Sequence, residues 1–143
     1  MMKKKKWFGI LVLVLVPLMG CSSLPSTFIR ASADDTTILL RRGLDPTQAF
    51  REAIFILTRH GFEPEIMNTE AGYIRTRWNY SWNDRNRVVN NYRVRVVVTF
   101  NPDRTQLILS TPAEFSHKHR WINGFDTRAI ETLRTDLTQS IGN

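Results

Sequence analysis

Apolar residues recur along this chain with two different periods. In the stretch AFREAIFILTRHG, Ala49, Phe50, Ala53, Ile54 and Leu57 keep helical spacing, while Gln48, Arg51, Glu52 and Arg59 fall on the opposite side. Asp45 is a good N-cap, Pro46 suits the first helical position, Gln48 stands where a capping-box partner would, and Gly61 marks the stop. A second stripe, Ile130, Leu133, Leu137 and Ile141, follows Asp126 as its cap and ends at Gly142, with Arg128, Glu131, Arg134 and Asp136 turned away. Between the helices the period drops to two. Tyr92, Val94, Val96, Val98 and Phe100 share one face of the strand YRVRVVVTF, and Arg93, Arg95, Val97 and Thr99 share the other. From Gly72 the same rule puts Ile74, Thr76, Trp78 and Tyr80 on the inward face of a strand, and Tyr73, Arg75, Arg77 and Asn79 outward. Thr36 to Arg42 and Gln106 to Thr111 read as further strands, and Phe62 to Asn68, interrupted by Pro64, as an edge strand. Ala113 to Gly124 has no clear period.

Two helices with one apolar stripe each must bury it against a common layer, and the meander offers one. The pattern predicts an α+β fold: a two-layer sandwich, an antiparallel sheet of about four strands with two helices on one face, in the order β-α-β-β-β-α. The other face of the sheet is then exposed. If the strands carrying Arg75 and Arg77 and Arg93 and Arg95 are neighbours, all four arginines stand on that face together. Like charges facing across strands are unfavourable unless something anionic lies near. The face is either an anion site or a solvated strand surface relieved by Glu63, Glu65 or Glu114.

The N-terminus changes how the charge is read. Lys3 to Lys6 precede an apolar run, Trp7 to Leu18, that is shorter than the roughly 20 residues of a bilayer span. Such a run is a signal-peptide core. Leu18-Met19-Gly20-Cys21 then resembles the bacterial lipobox, and Cys21 is the chain's only cysteine. The resemblance implies cleavage before Cys21, a diacylglycerol-bearing thiol there, and an acylated (palmitate) membrane anchor. Ser22, in place of an aspartate, implies sorting to the outer membrane, on its periplasmic side. Of 20 basic residues four leave with the leader, so 16 remain against 13 acidic ones. The formal charge of +7 over 143 residues therefore overstates the case for nucleic acid, and no nucleic-acid partner is expected. Three segments follow: a lipoprotein signal peptide over 1–20, the lipidated cysteine and a flexible tether over 21–35, and an α+β domain over 36–143.

Candidate chemistry is sparse. There is no G-x-S-x-G elbow, no H-E-x-x-H, no phosphate-binding glycine loop and no available thiol nucleophile, so no enzyme and no cofactor is expected. Trp82, near a turn, is a candidate exposed contact. In an extended chain His117 and His119 project to one side as two metal ligands would, yet no third ligand accompanies them and no metal site is expected. With Trp121 they form a polar segment suited to partner contact. The stretch from Ala49 to Trp78, with Leu57, Gly61, Phe62, Gly72 and Ile74 in a helix, strand, glycine turn and strand pattern, is similar to the repeating unit of BamC-like outer-membrane lipoproteins. That resemblance implies a non-catalytic accessory or interaction module of an envelope protein complex. The alternative is a binding module for lipopolysaccharide phosphate or peptidoglycan carboxylate on the arginine face. The candidate binding residues are Arg75, Arg77, Arg93, Arg95, Trp82, His117, His119 and Trp121.

Overall fold

A computed structural model describes residues 24–30, 35–82 and 90–143. The leader, the lipobox and Cys21 lie outside the described residues. The chain runs β1 (Phe28–Ile29), β2 (Thr36–Leu39), α1 (Pro46–Arg59), β3 (Pro64–Asn68), β4 (Tyr73–Thr76), β5 (Tyr92–Val94), β6 (Val97–Phe100), β7 (Gln106–Ser110), β8 (Pro112–His117), β9 (Arg120–Asp126) and α2 (Thr127–Ile141).

Both helices begin where a carboxylate relieves their unpaired N–H groups. Asp45 accepts from Gln48 N at 2.8 Å, and Asp126 from Ala129 N at 2.7 Å. Ala49, Phe50, Ala53, Ile56 and Leu57 of α1 are buried, as are Ala129, Ile130, Leu133, Leu137 and Ile141 of α2. The two stripes pack on one another and on the sheet layer, with Phe50 and Phe100 ring centroids 5.9 Å apart.

The strands form two antiparallel sheets, β1-β9-β8-β5 and β2-β7-β6-β4-β3. They are joined by strands that serve both. The stretch 92–100 leaves one sheet at Arg95, whose N bonds Pro112 O at 2.9 Å, and enters the other at Val96, whose N bonds the Thr76 hydroxyl at 2.9 Å. The returning strand crosses at Thr111, whose buried hydroxyl bonds Asp126 O at 2.9 Å. Alternation survives the bend, and Tyr92, Val94, Val96, Val98 and Phe100 are all buried. The α+β sandwich holds, with more strands than the predicted four. Two of the additional strands are the hairpin β8-β9, formed by the segment 113–124 that shows no clear period.

Two expectations are corrected. Trp78 and Tyr80 are not under the helices. Register between β4 and β6 runs Tyr73↔Thr99, Ile74↔Val98, Arg75↔Val97, but the next bridge is Asn79↔Val94, so one extra residue sits at 77–78. This bulge reverses the phase of everything beyond it. Asn79 takes the inward parity of Val94, and Trp78 and Tyr80 the outward parity of Arg93 and Arg95. The tether is also shorter than 21–35: Phe28 is buried, and β1 pairs with β9 through Phe28↔Asp126 and Ile29↔Phe125. Part of that segment belongs to the folded unit.

Candidate functional site

The phase reversal assembles an aromatic and cationic surface on the outer face of the sheet β1-β9-β8-β5. β5 supplies Arg93, the position just after its end supplies Arg95, the stretch after the bulge supplies Trp78 and Tyr80, and β9 supplies Trp121, which is opposite Ser116 of β8. The Arg93 Cζ lies 4.1 Å from the Trp121 ring centroid and 4.6 Å from that of Trp78, and the Arg95 Cζ lies 4.4 Å from Trp78. Trp121, Arg93, Trp78 and Arg95 are thus linked in that order, each contact contributing about 0.5–1 kcal/mol where exposed.

Arg93 is saturated. Its partner across the register is Glu114, which accepts from Nε at 2.7 Å and from Nη2, while Nη1 donates to Tyr80 Oη at 2.9 Å. The pair is largely shielded, with side-chain exposures of 21% and 19%. An arginine fork held at three points between two indoles is rigid, so its cost in entropy on binding a partner is already met by the fold.

The other arginines behave differently. Arg75 lies on the second sheet and donates to Glu65 at 3.1 Å. Arg77, at the bulge, is exposed, and its backbone N bonds Glu63 O at 2.8 Å. Among the described residues the Nε atoms of Arg75 and Arg95 are both sealed from solvent and have no hydrogen-bond partner. The four arginines share an outward sense without forming one cluster, and two of them already hold carboxylates of this chain.

Trp82 is not an exposed contact. It is 3% exposed, packs at a tilt against Phe62 with centroids 4.9 Å apart, and donates from Nε1 to Asp126 Oδ1 at 3.1 Å. A tryptophan is buried at little polar cost when its N–H finds such an acceptor. His117 and His119 are not side by side on one extended strand either. Lys118 and His119 have φ of 47° and 63°, the left-handed pair of a tight hairpin turn that separates His117, ending β8, from Arg120, opening β9. Among the described residues no three His, Cys, Asp or Glu are grouped to hold a metal ion. Trp121 does reach the outer face, 40% exposed.

Trp78, Tyr80 and Glu114 join the site although sequence reasoning left the first two in the core. Their only signal was composition, aromatic residues interleaved with arginine at 73–82, and it was masked by the bulge. Among the described residues no helix is long and apolar enough to cross a membrane. No protein-family model matches this chain, and no curated protein sequence matches it.

Proposed function

We propose that this chain is an outer-membrane lipoprotein, acylated at Cys21 and facing the periplasm, whose α+β domain is a non-catalytic interaction module for another envelope protein. The carrying observation is the ladder of Trp121, Arg93, Trp78 and Arg95, with Tyr80 bonded to its centre. Tryptophan, tyrosine and arginine dominate the energetics of protein interfaces, most of all when held rigid before binding. The lipobox and the likeness of 49–78 to BamC-like modules support the same reading. A site using all four arginines for lipopolysaccharide phosphate or peptidoglycan carboxylate draws less support, because Arg75 and Arg93 already carry Glu65 and Glu114.

The test is a photo-cross-linking residue at Trp121 in the full chain in its own envelope, with the same residue at Phe55 on the helical side as control. A discrete protein adduct from position 121 and none from 55 is expected. Equal labelling at both positions, or none at 121, removes the proposed face. Fatty-acid labelling lost in Cys21→Ala tests the anchor independently.

A further inference from the structure

Beyond the ladder's last member the outer face opens into a cleft of about 370 Å³, lined by Arg95, Arg30, Trp78, Pro112, Asn123 and Phe125. This volume lies at the small end of ligand sites, which span roughly 300–1,000 Å³. Its walls divide cleanly. Trp78, Pro112 and Phe125 are apolar, whereas Arg95 and Arg30 bring positive charge and Asn123 an amide. Glu114 also touches the cleft, but its carboxylate is spent on Arg93.

Arg95 is the informative residue. Its guanidinium carbon lies 4.4 Å from the centroid of the Trp78 ring, which lines the same cleft. No ion pair of Arg95 or Arg30 forms among the described residues. An anion entering the cleft therefore meets two guanidinium charges that no carboxylate among the described residues offsets.

We propose that this cleft binds a carboxylate attached to a small apolar body, such as the C-terminus of a peptide or a free carboxylic acid. A planar carboxylate matches a planar guanidinium fork, and the apolar walls accept the carbon skeleton behind it. A doubly charged phosphate suits the cleft less well, since Trp78, Pro112 and Phe125 offer its further oxygens no donors. The site shares Trp78 and Arg95 with the ladder but not Trp121, which is absent from its lining, so Trp121 separates the two readings.

Calorimetric titration of the full chain in detergent micelles tests this with four probes: acetyl-alanyl-leucine with a free C-terminus, its C-terminal amide, propionate, and inorganic phosphate. The free peptide acid is expected to bind, and the amide to bind at least about tenfold more weakly, as loss of a charge-assisted bidentate contact implies. Arg95→Gln should weaken the acid by about tenfold, and Arg95→Lys, which keeps charge but not the fork, should recover part of that. Arg30→Gln, a change at an exposed position outside the core, gives a second variant if Arg95→Gln misfolds, and should cost about threefold. Trp121→Ala should leave this titration unchanged while removing the partner contact, so the two proposals fail separately. Propionate binding as tightly as the peptide keeps the carboxylate site and assigns free acids as its ligands. An amide as tight as the acid, phosphate tighter than either, or wild-type binding in both arginine variants overturns the proposal.

Discussion

Trp82 Nε1 donates to Asp126 Oδ1 at 3.1 Å, across 44 residues of chain. The same carboxylate caps α2 through Ala129 N and accepts from Tyr92 Oη at 2.5 Å and Thr27 Oγ1 at 2.9 Å. One fully buried side chain therefore ties the bulged stretch, β5, the N-terminal segment and α2 to a single point. Asp126→Ala loses the cap and strands three further donors, with an expected cost of about 3 kcal/mol or more. Asp126→Asn keeps an acceptor for the cap and the indole and should cost clearly less. Urea unfolding of the two variants checks this order; equal losses would count against it.

Tyr92 adds a pH signature. Burial, and after it the Asp126 carboxylate, hold the Tyr92 phenol well above its ordinary value. The unfolded chain releases that proton near pH 10 while the folded chain keeps it, so the folded state binds more protons in alkali. The stability that Tyr92 contributes is present below about pH 10 and falls as pH rises beyond it. Tyr92→Phe should be about 1 kcal/mol less stable at neutral pH, having lost one hydrogen bond. It should also show a flatter alkaline decline. Parallel curves for the two proteins would refute the assignment.

The opposite sign applies where the helices meet. Asp136 of α2 shares Oδ2 with His60 Nε2 at 2.7 Å and Arg59 Nη2 at 2.5 Å. The His60 bond chiefly, with the Arg59 bond and against partial burial, holds this carboxyl below its ordinary value. Its contribution is present at neutral pH and is lost as pH falls through the lowered value. Asp136→Asn should cost up to about 1 kcal/mol at pH 7, the scale of a partly exposed pair. The difference should close in acid, and a constant difference down to about pH 2, below the ordinary carboxylate range, would exclude the mechanism.

How much of this was legible beforehand depends on the range of the forces involved. The caps at Asp45 and Asp126 act within three residues, and both were read correctly from sequence. The bulge at 77–78 is different. At this corner of the sheet the Thr76 hydroxyl, in place of a carbonyl, accepts from Val96 N at 2.9 Å. Alternation on either side looks intact, so nothing local reports that Trp78 and Tyr80 have changed faces. Burial of Trp82 depends on an acceptor in another element, and the turn at Lys118 and His119 carries neither glycine nor asparagine to announce its left-handed backbone. The α+β class was recoverable from periodicity; the ladder was not.

The ladder separates stability from contact. Trp78 lies between two guanidinium groups, whereas Trp121 touches one and leaves 40% of itself exposed. Trp78→Ala should cost about 1–2 kcal/mol through two lost cation–aromatic contacts and lost burial. Trp121→Ala should cost less than about 1 kcal/mol, yet abolish any partner cross-link formed at neighbouring Tyr80. Unfolding midpoints read against adduct yield check both halves. A large stability loss in Trp121→Ala would make it a structural residue instead.

Gly124 decides how far the domain stands from its proposed anchor. A Cβ at this position would meet the Phe28 ring at 2.6 Å and the Ile29 carbonyl. Side-chain carbon does not tolerate such an approach, and part of the obstacle is backbone, so β1 must move. Since β1 pairs through only two residues, Gly124→Val should detach it and expose Phe28, at a cost of about 2–3 kcal/mol for one buried aromatic side chain. Under the acylation proposal the consequence is geometric. The chain between Cys21 and the fold then runs to β2 instead of β1, raising its maximal reach from about 25 Å to about 50 Å at roughly 3.5 Å per residue. Trypsin cleavage after Arg30 reports the detachment directly: it should accelerate in Gly124→Val at denaturant concentrations where α1 and α2 remain folded. Unchanged cleavage with unchanged stability would show that β1 is not held through this close approach.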